Sequence, residues 1–252
     1  MDVGAPYQPG GQTAWVAPVR SSAGRDLVLK LAWPHPEALH EADGLRAWDG
    51  NGAVRLHANE EIGGTTALLL ERCEPGIPLA SRPEPEQDAV ISTLLRELWI
   101  QPPRGHAFRP LQDMCEMWAN EFEERAEAEG LAGDPGLIRE GISLFRTLPR
   151  TAEQTTLLAT DLHAGNVLAA ERRPWLAIDP KPYVGDPTYD PLQHLLNCPG
   201  RLRSAPVDLV NRMADLLALD PERLRLWLFA RCVQESPGCP SLLRIARGIT
   251  PP

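Results

Sequence analysis

Residues 160–190 read TDLHAGNVLAAERRPWLAIDPKPYVGDPTYD. Asp161 and Asn166 stand five positions apart on a polar stretch between apolar runs, and Asp179 follows thirteen residues later, directly after the run WLAI. A hairpin over this segment makes the oxygens of these side chains face one another. Carboxylate and amide oxygens suit Mg²⁺, which keeps water and phosphate oxygens in its octahedron and takes only one or two protein groups. A further carboxylate nearby accepts a proton from an attacking hydroxyl. An isolated Asp-x-x-x-x-Asn is commonplace, since both side chains also cap turns. Its meaning here depends on what lies upstream.

Upstream, residues 10–20 (GGQTAWVAPVR) pass from a glycine pair into alternating apolar positions, and residues 27–33 (LVLKLAW) form a second apolar run carrying Lys30. Both patterns predict strands. Residues 37–48 predict a helix started by Pro36 and stopped at the Gly50-Asn51-Gly52 turn, with Glu41 on it. Residues 53–57 and 66–71 predict two more strands. Prolines and a glycine break the pattern over residues 72–78 (RCEPGIP), and helical periodicity follows. Helices are expected at 89–100, 111–130, 137–148, 191–196, 207–217, 222–232 and 242–249, with short strands at 157–159, 167–170 and 175–178.

DLHAGN followed by IDP, with LVLKL and Glu41 eleven residues beyond Lys30, resembles the protein-kinase-like fold in the version used by aminoglycoside phosphotransferases, within it the streptomycin 6-kinase and hydroxyurea phosphotransferase branch. The resemblance covers most of residues 10–198. It implies an α+β, two-lobed architecture: a nucleotide-binding lobe over residues 1–75, a small antiparallel sheet with a very short or missing first strand, and a helical lobe over residues 76–252. It further implies ATP and Mg²⁺ as cofactors, Asp161 as catalytic base, Asn166 and Asp179 as metal ligands, and Lys30 on the ATP phosphates with Glu41 as its partner. Residues 68–73 (LLLERC) fall where the adenine-binding hinge would be, which makes Glu71 and Cys73 nucleotide-site candidates, and Gly10 and Gly11 offer backbone N–H groups to phosphate. Ala159-Thr160 replaces the family's usual His-Gly before the catalytic Asp, removing a structural side chain but none of the groups named.

Other residues carry weaker signals. Lys181, two residues past Asp179, points to the same side in extended chain and reaches a phosphate or braces a carboxylate. His163, on a tight loop, reads as a structural histidine bonded to backbone. Asp186 and Asp190 could join Asp161, His163 and Asp179 in a cluster typical of metal-dependent hydrolases, a reading with no need of Lys30. The preferred roles are a helix cap for Asp186 and a cap or brace of the catalytic loop for Asp190.

The chain has 252 residues, 43% of them hydrophobic and 23% charged, which excludes a disordered tail or a fibre. No apolar run approaches a membrane span and the first residues lack a signal-peptide pattern, so a cytoplasmic location is expected. Five scattered cysteines without a C-x-x-C pair argue against a disulfide framework or thiolate zinc site. A formal charge of -9 disfavours nucleic acid and would attract a cationic small molecule. Only two lysines, Lys30 and Lys181, stand among 25 basic residues, and both fall in the motifs above. The acidic run over residues 116–129 reads mostly as a solvated helix face, with Asp113 and Glu116 at its start as candidates for contact with a cationic acceptor. The resemblance implies an aminoglycoside of streptomycin type as the leading acceptor, with hydroxyurea or another metabolite behind it; a nucleotide-binding pseudokinase is a further alternative reading of the chain. No obligatory protein partner is evident.

Overall fold

A computed structural model of the chain describes residues 1–8, 13–36, 39–129 and 134–250. The first part is a five-stranded antiparallel sheet in the order β1-β2-β3-β5-β4, built from β1 (Asp2–Val3), β2 (Ala14–Arg20), β3 (Asp26–Ala32), β4 (Leu56–Ile62) and β5 (Thr65–Glu71). The first strand is only two residues long. Gly63 and Gly64 both have positive φ, which lets a tight turn join β4 to β5 with the twist of the flanking strands. Helix α1 (Glu41–Trp48) crosses from β3 to β4 and buries Leu45 and Trp48.

The chain leaves the sheet through β6 (Pro75–Pro78), which pairs with β8 (Val167–Ala170), itself paired with β9 (Trp175–Ala177). A second short ladder joins β7 (Thr156–Leu158) to β10 (Tyr183–Gly185). The remainder is helical: α2 (Glu84–Leu98), α3 (Leu111–Glu129), α4 (Pro135–Thr147), α5 (Leu192–Leu196), α6 (Pro199–Ser204), α7 (Pro206–Leu217), α8 (Pro221–Gln234) and α9 (Leu242–Gly248). The apolar stripes of α4 and α8 meet closely: a Cβ on Gly141 would lie 2.5 Å from Val233. Trp227 of α8 is fully buried, edge-on to Phe145 and Tyr189. Among the described residues no helix is long and apolar enough to cross a membrane.

Several element limits differ from the sequence reading. Helix α1 begins at Glu41, after a non-helical His40, and not directly behind Pro36. The fourth strand runs over Leu56–Ile62 in place of 53–57, because Ala53 bridges instead to Ala177 and Leu56 pairs with Leu70. Helix α2 starts five residues earlier than its apolar stripe, with Pro85 in its first turn. Strands β6 and β10 and helix α6 were not anticipated: each is short, and the two strands take their partners from distant chain.

One electrostatic clamp ties α2 to the helices after the second ladder. Asp88, fully buried, accepts hydrogen bonds from Arg201 at 2.8 Å on both oxygens, from Arg212 at 2.6 Å, and lies 2.9 Å from His194 Nε2. Cys198 adds a third metal-ligand type beside Asp88 and His194. Two guanidinium groups on the same carboxylate repel a cation there, so the cluster works as an ion-pair network. Burial of Asp88 opposes ionisation, but Arg201, His194 and Arg212 outweigh it and hold the carboxyl below its ordinary range. Burial likewise opposes charging of His194, yet its bond to Asp88 raises its pKa to about 9 from 6.5.

A pKa raised in the folded state contributes stability that is complete below the unfolded value and fades as pH climbs through the folded one. The His194 contribution should therefore be full below pH 6.5 and disappear through about pH 9, while Asp88 loses its own as pH falls below 3.8. Chemical denaturation should show unfolding free energy falling between pH 6.5 and 9 by an amount of order 3 kcal/mol from this site. His194→Gln should lower stability at pH 6 and flatten that slope, and an unaltered slope would assign it to other groups.

Candidate functional site

Lys30 leaves the middle of β3 with its side chain buried, and its Nζ stands 2.7 Å from both carboxylate oxygens of Glu41 and 2.5 Å from Asp179 Oδ1. Burial works against the charged ammonium, but Glu41 and Asp179 overcome it and raise the Lys30 pKa. Close approach makes the triad possible. A Cβ on Gly44, one turn along α1 from Glu41, would sit 2.3 Å from Pro182 Cγ, so only glycine lets the helix lie against the segment that follows Asp179.

That segment and the loop before β8 are fixed by backbone. Asp190, fully buried, accepts from the Thr160 N–H at 2.7 Å, the Ala159 N–H at 3.1 Å and the Trp99 indole at 2.9 Å. Burial raises its pKa to about 6, against the pull of those three donors. Asp190 thus holds the backbone ahead of Asp161. Thr160 and Asp179 both occupy left-handed backbone, with φ of 51° and 53°. For a β-branched residue this conformation is strained. The bond to Asp190 and a 2.5 Å bond from Thr160 Oγ1 to the Lys181 carbonyl hold it.

On this loop Asp161 Oδ2 meets Lys181 Nζ at 2.6 Å and Asn166 Nδ2 at 3.4 Å, and Asn166 Nδ2 also donates to the Asp161 carbonyl at 3.0 Å. Among the described residues both side-chain contacts fall on Oδ2, which leaves Oδ1 for something else. Lys181 is thus bonded to the Asp161 carboxylate. His163 accepts from the Gly165 N–H at 3.1 Å and caps the short turn before β8. Burial lowers its pKa, in keeping with a structural histidine. Asp186 caps the turn after β10 through Thr188 N and binds Arg223 and Trp227 Nε1, each at 2.7 Å. Asp186 and Asp190 are thus engaged elsewhere, and the hydrolase-type cluster does not assemble.

Two hollows flank the loop. The larger, about 590 Å³, lies against the sheet, with Lys30, Glu41, Asn166 and Asp179 at one side and the aliphatic groups of Val16, Val28, Val54, Leu70, Leu168 and Ile178 as walls. Glu71, Arg72 and Cys73 form its edge. The Glu71 carboxylate is turned to Arg172, with bonds of 2.8 and 2.9 Å, and accepts from the Arg55 N–H. Burial pushes the Cys73 thiol up to about 12, so it stays neutral. Gly10 and Gly11 lie outside the described residues.

The smaller hollow, about 210 Å³, is lined by Met114, Trp118, Thr160, Asp161, Lys181, Tyr183, Gln193, Arg231 and Glu235. Helix α3 turns Met114 and Trp118 towards it. Asp113 is exposed and does not line it, and Glu116 faces Arg146 at 3.1 Å and Arg150 at 3.5 Å. The structure therefore does not bring Asp113 and Glu116 to Asp161: residues three and four apart share a helix face, and theirs is the wrong one. The acidic residue that does reach the hollow, Glu235, follows α8, and the sequence offered no signal for it. Arg172 and Trp99 went equally unnoticed, since each acts through contacts with distant chain.

The family model for the aminoglycoside/hydroxyurea antibiotic resistance kinases matches residues 5–237. A hydroxyurea phosphotransferase from Kitasatospora aureofaciens is 38% identical over 231 residues, covering 89% of this chain and 65% of that protein. A streptomycin 6-kinase from Streptomyces glaucescens is 34% identical over 235 residues, covering 90% of this chain and 75% of that one. This chain thus spans about two thirds to three quarters of the length of these relatives. Among solved structures, an aminoglycoside phosphotransferase from Streptomyces rimosus, in complex with ADP and streptomycin, superposes with a TM-score of 0.62 at 18% identity, covering 91% of this chain and 92% of its own. The sheet, the helical part and the order of their elements are those of the protein-kinase-like fold, and the chain belongs to the aminoglycoside/hydroxyurea antibiotic resistance kinase family.

Proposed function

We propose that the chain is an ATP-dependent phosphotransferase that moves the γ-phosphate of ATP to a hydroxyl of a small molecule, with residues 1–75 as its nucleotide half and residues 76–252 carrying the catalytic loop and acceptor site. The observation that carries this reading is the placement of Lys30, Glu41, Asn166 and Asp179 on one hollow and of Asp161 on the next, with Asn166 bonded to Asp161 between them. The relatives act on hydroxyurea and streptomycin, and both are candidate acceptors here. ATP supply places the reaction in the cytoplasm.

In this reading the aliphatic walls of the larger hollow receive the adenine ring, and the backbone of residues 71–73 lies along its edge. Lys30, held charged by its two carboxylate partners, addresses the phosphates as a compact point charge. The donor set suits Mg²⁺: with Nδ2 of Asn166 given to Asp161, its Oδ1 is available, and Asp179, 46% exposed, keeps Oδ2 beside the oxygen taken by Lys30. When bound, the ion neutralises charge on the transferring phosphoryl group. Asp161 Oδ1 receives the acceptor's hydroxyl proton while Lys181 and Asn166 hold Oδ2 and so fix the ring of possible orientations. Positioning of this kind supplies most of the catalysis in phosphoryl transfer.

Incubation of the purified chain with Mg-ATP and hydroxyurea or streptomycin, followed by mass detection of the product, tests the reading directly. Asp161→Asn should keep Mg-ATP binding and lower kcat by about 10²- to 10⁴-fold, the usual cost of losing a general base. Asp179→Ala should weaken Mg-ATP binding itself in calorimetry, and equal affinity would remove Asp179 from the metal site.

The close approach of α1 generates a separate expectation. Gly44→Ala forces the helix away from Pro182, as overpacking does at about 1–3 kcal/mol, and should weaken Mg-ATP binding by loosening the Lys30 triad. Gly200→Ala, where an added Cβ meets nothing within 4 Å, is the control and should change neither melting temperature nor affinity appreciably. Equal behaviour of the two variants would show that α1 has room to spare.

A further inference from the structure

Beyond the hollow at Asp161 lies a second cavity of about 290 Å³, formed by α5, α6, α8 and α9. Gln193, Arg231 and Glu235 line both. They stand between the two spaces. Arg231 is 5% exposed at its side chain, stacks 4.7 Å above the Trp118 ring, donates to Gln234 Oε1 at 2.6 Å and reaches Glu235 Oε1 at 2.9 Å. Among the described residues its Nε has no hydrogen-bond partner. A buried guanidinium with an unsatisfied N–H is a poor way to stabilise a fold, because desolvation opposes the gain from the pair. Its place on the wall of both cavities gives it another use.

We propose that Gln193, Arg231 and Glu235 form a partition that sets acceptor specificity, restricting the hollow at Asp161 to a compact, uncharged hydroxyl compound. The inference rests on the phosphotransferase reading and deepens it. Two independent observations carry it. The hollow is the smaller of the two that flank the loop, about 210 Å³ against about 590 Å³, and Gln193, Arg231 and Glu235 stand between it and the cavity of about 290 Å³ behind. Its charges also pair: Asp161 with Lys181 and Glu235 with Arg231, so a guanidinium-bearing acceptor meets carboxylates that a cation already partners. The overall charge of -9 is not concentrated here. Removing the partition joins the hollow to the cavity behind it, and removing Arg231 in particular frees Glu235 to meet a cation.

The test compares kcat/KM for hydroxyurea and for streptomycin, each with saturating Mg-ATP, in the full chain and in the variants Gln193→Ala and Arg231→Met. The unaltered protein should favour hydroxyurea, and each variant should shift the ratio towards streptomycin by about tenfold or more, within the range a reshaped pocket commands, with KM for ATP unchanged. A preference for streptomycin in the unaltered protein, or a ratio that neither variant moves, overturns the partition and leaves phosphotransfer standing. Absence of product from both acceptors overturns the phosphotransferase reading and the partition with it. Arg231→Met keeps an unbranched apolar chain on Trp118. Should it fail to fold by circular dichroism, Gln193→Ala, which breaks no ion pair, decides.

Discussion

A single ammonium group, Lys30 Nζ, holds the working parts of this protein in register. It lies within 2.7 Å of three carboxylate oxygens, two from α1 and one from the segment after β9, so one cation joins the sheet, its crossing helix and the helical part. Without that charge Glu41 and Asp179 would repel each other across the cleft. A buried pair of this kind adds little net stability, since desolvation offsets the Coulomb gain. What it secures is position. The contact of Gly44 with Pro182 serves the same end by steric means, letting α1 come near enough for Glu41 to reach the lysine.

A second anchor works on the backbone. Asp190 draws the N–H groups of Ala159 and Thr160 to one carboxylate, and that pull keeps Thr160 in left-handed backbone, from which Asp161 emerges. The strain at Thr160 and at Asp179 is local, and it occurs at the two turns that aim Asp161 and Asp179. Asp161 and Asn166 then share a hydrogen bond across the wall separating the two hollows. A nucleotide on one side and a hydroxyl compound on the other would meet at that bond, with Asp161 Oδ1 as the atom left to the acceptor side.

Lys30, Glu41, Asp161, Asn166 and Asp179 were legible in the sequence through the resemblance that DLHAGN, IDP and LVLKL carry, and strand or loop geometry carries their spacing into space. Gln193, Arg231 and Glu235 were not. They lie on or just after helices whose periodicity is ordinary, and only the packing of α5 against α8 brings them to Asp161. Asp113 and Glu116 illustrate the converse: their acidity was visible, but the face of α3 that meets the hollow is set by Met114 and Trp118, a tertiary fact that charge counting does not contain. The strand β10 went unread because three residues take their identity from pairing with β7, and the late start of α1 because Pro36 permits a helix without requiring one.

Whole-chain charge is a weak guide to what any one hollow attracts, and the reason is physical. Glu116 and Glu123 are met by Arg146, Asp88 by Arg201 and Arg212, Asp186 by Arg223, and Asp161 by Lys181, so much of the acidity is neutralised within a few ångströms of where it arises. Beyond a Debye length of about 8 Å at physiological salt the remaining surface charges are largely screened. An acceptor therefore responds to the groups it touches. The groups that would act on ATP are chemically indifferent to what bears the hydroxyl, since in phosphoryl transfer the protein supplies position and charge neutralisation and the acceptor supplies only an oxygen. Acceptor choice is then free to reside elsewhere, in the walls contributed by α3, α5 and α8. There a pair of opposite charges and one amide separate a small cavity from a larger one. On the proposed reading, one catalytic loop would serve a small amide-like molecule or a polycyclic cation according to whether that wall stands.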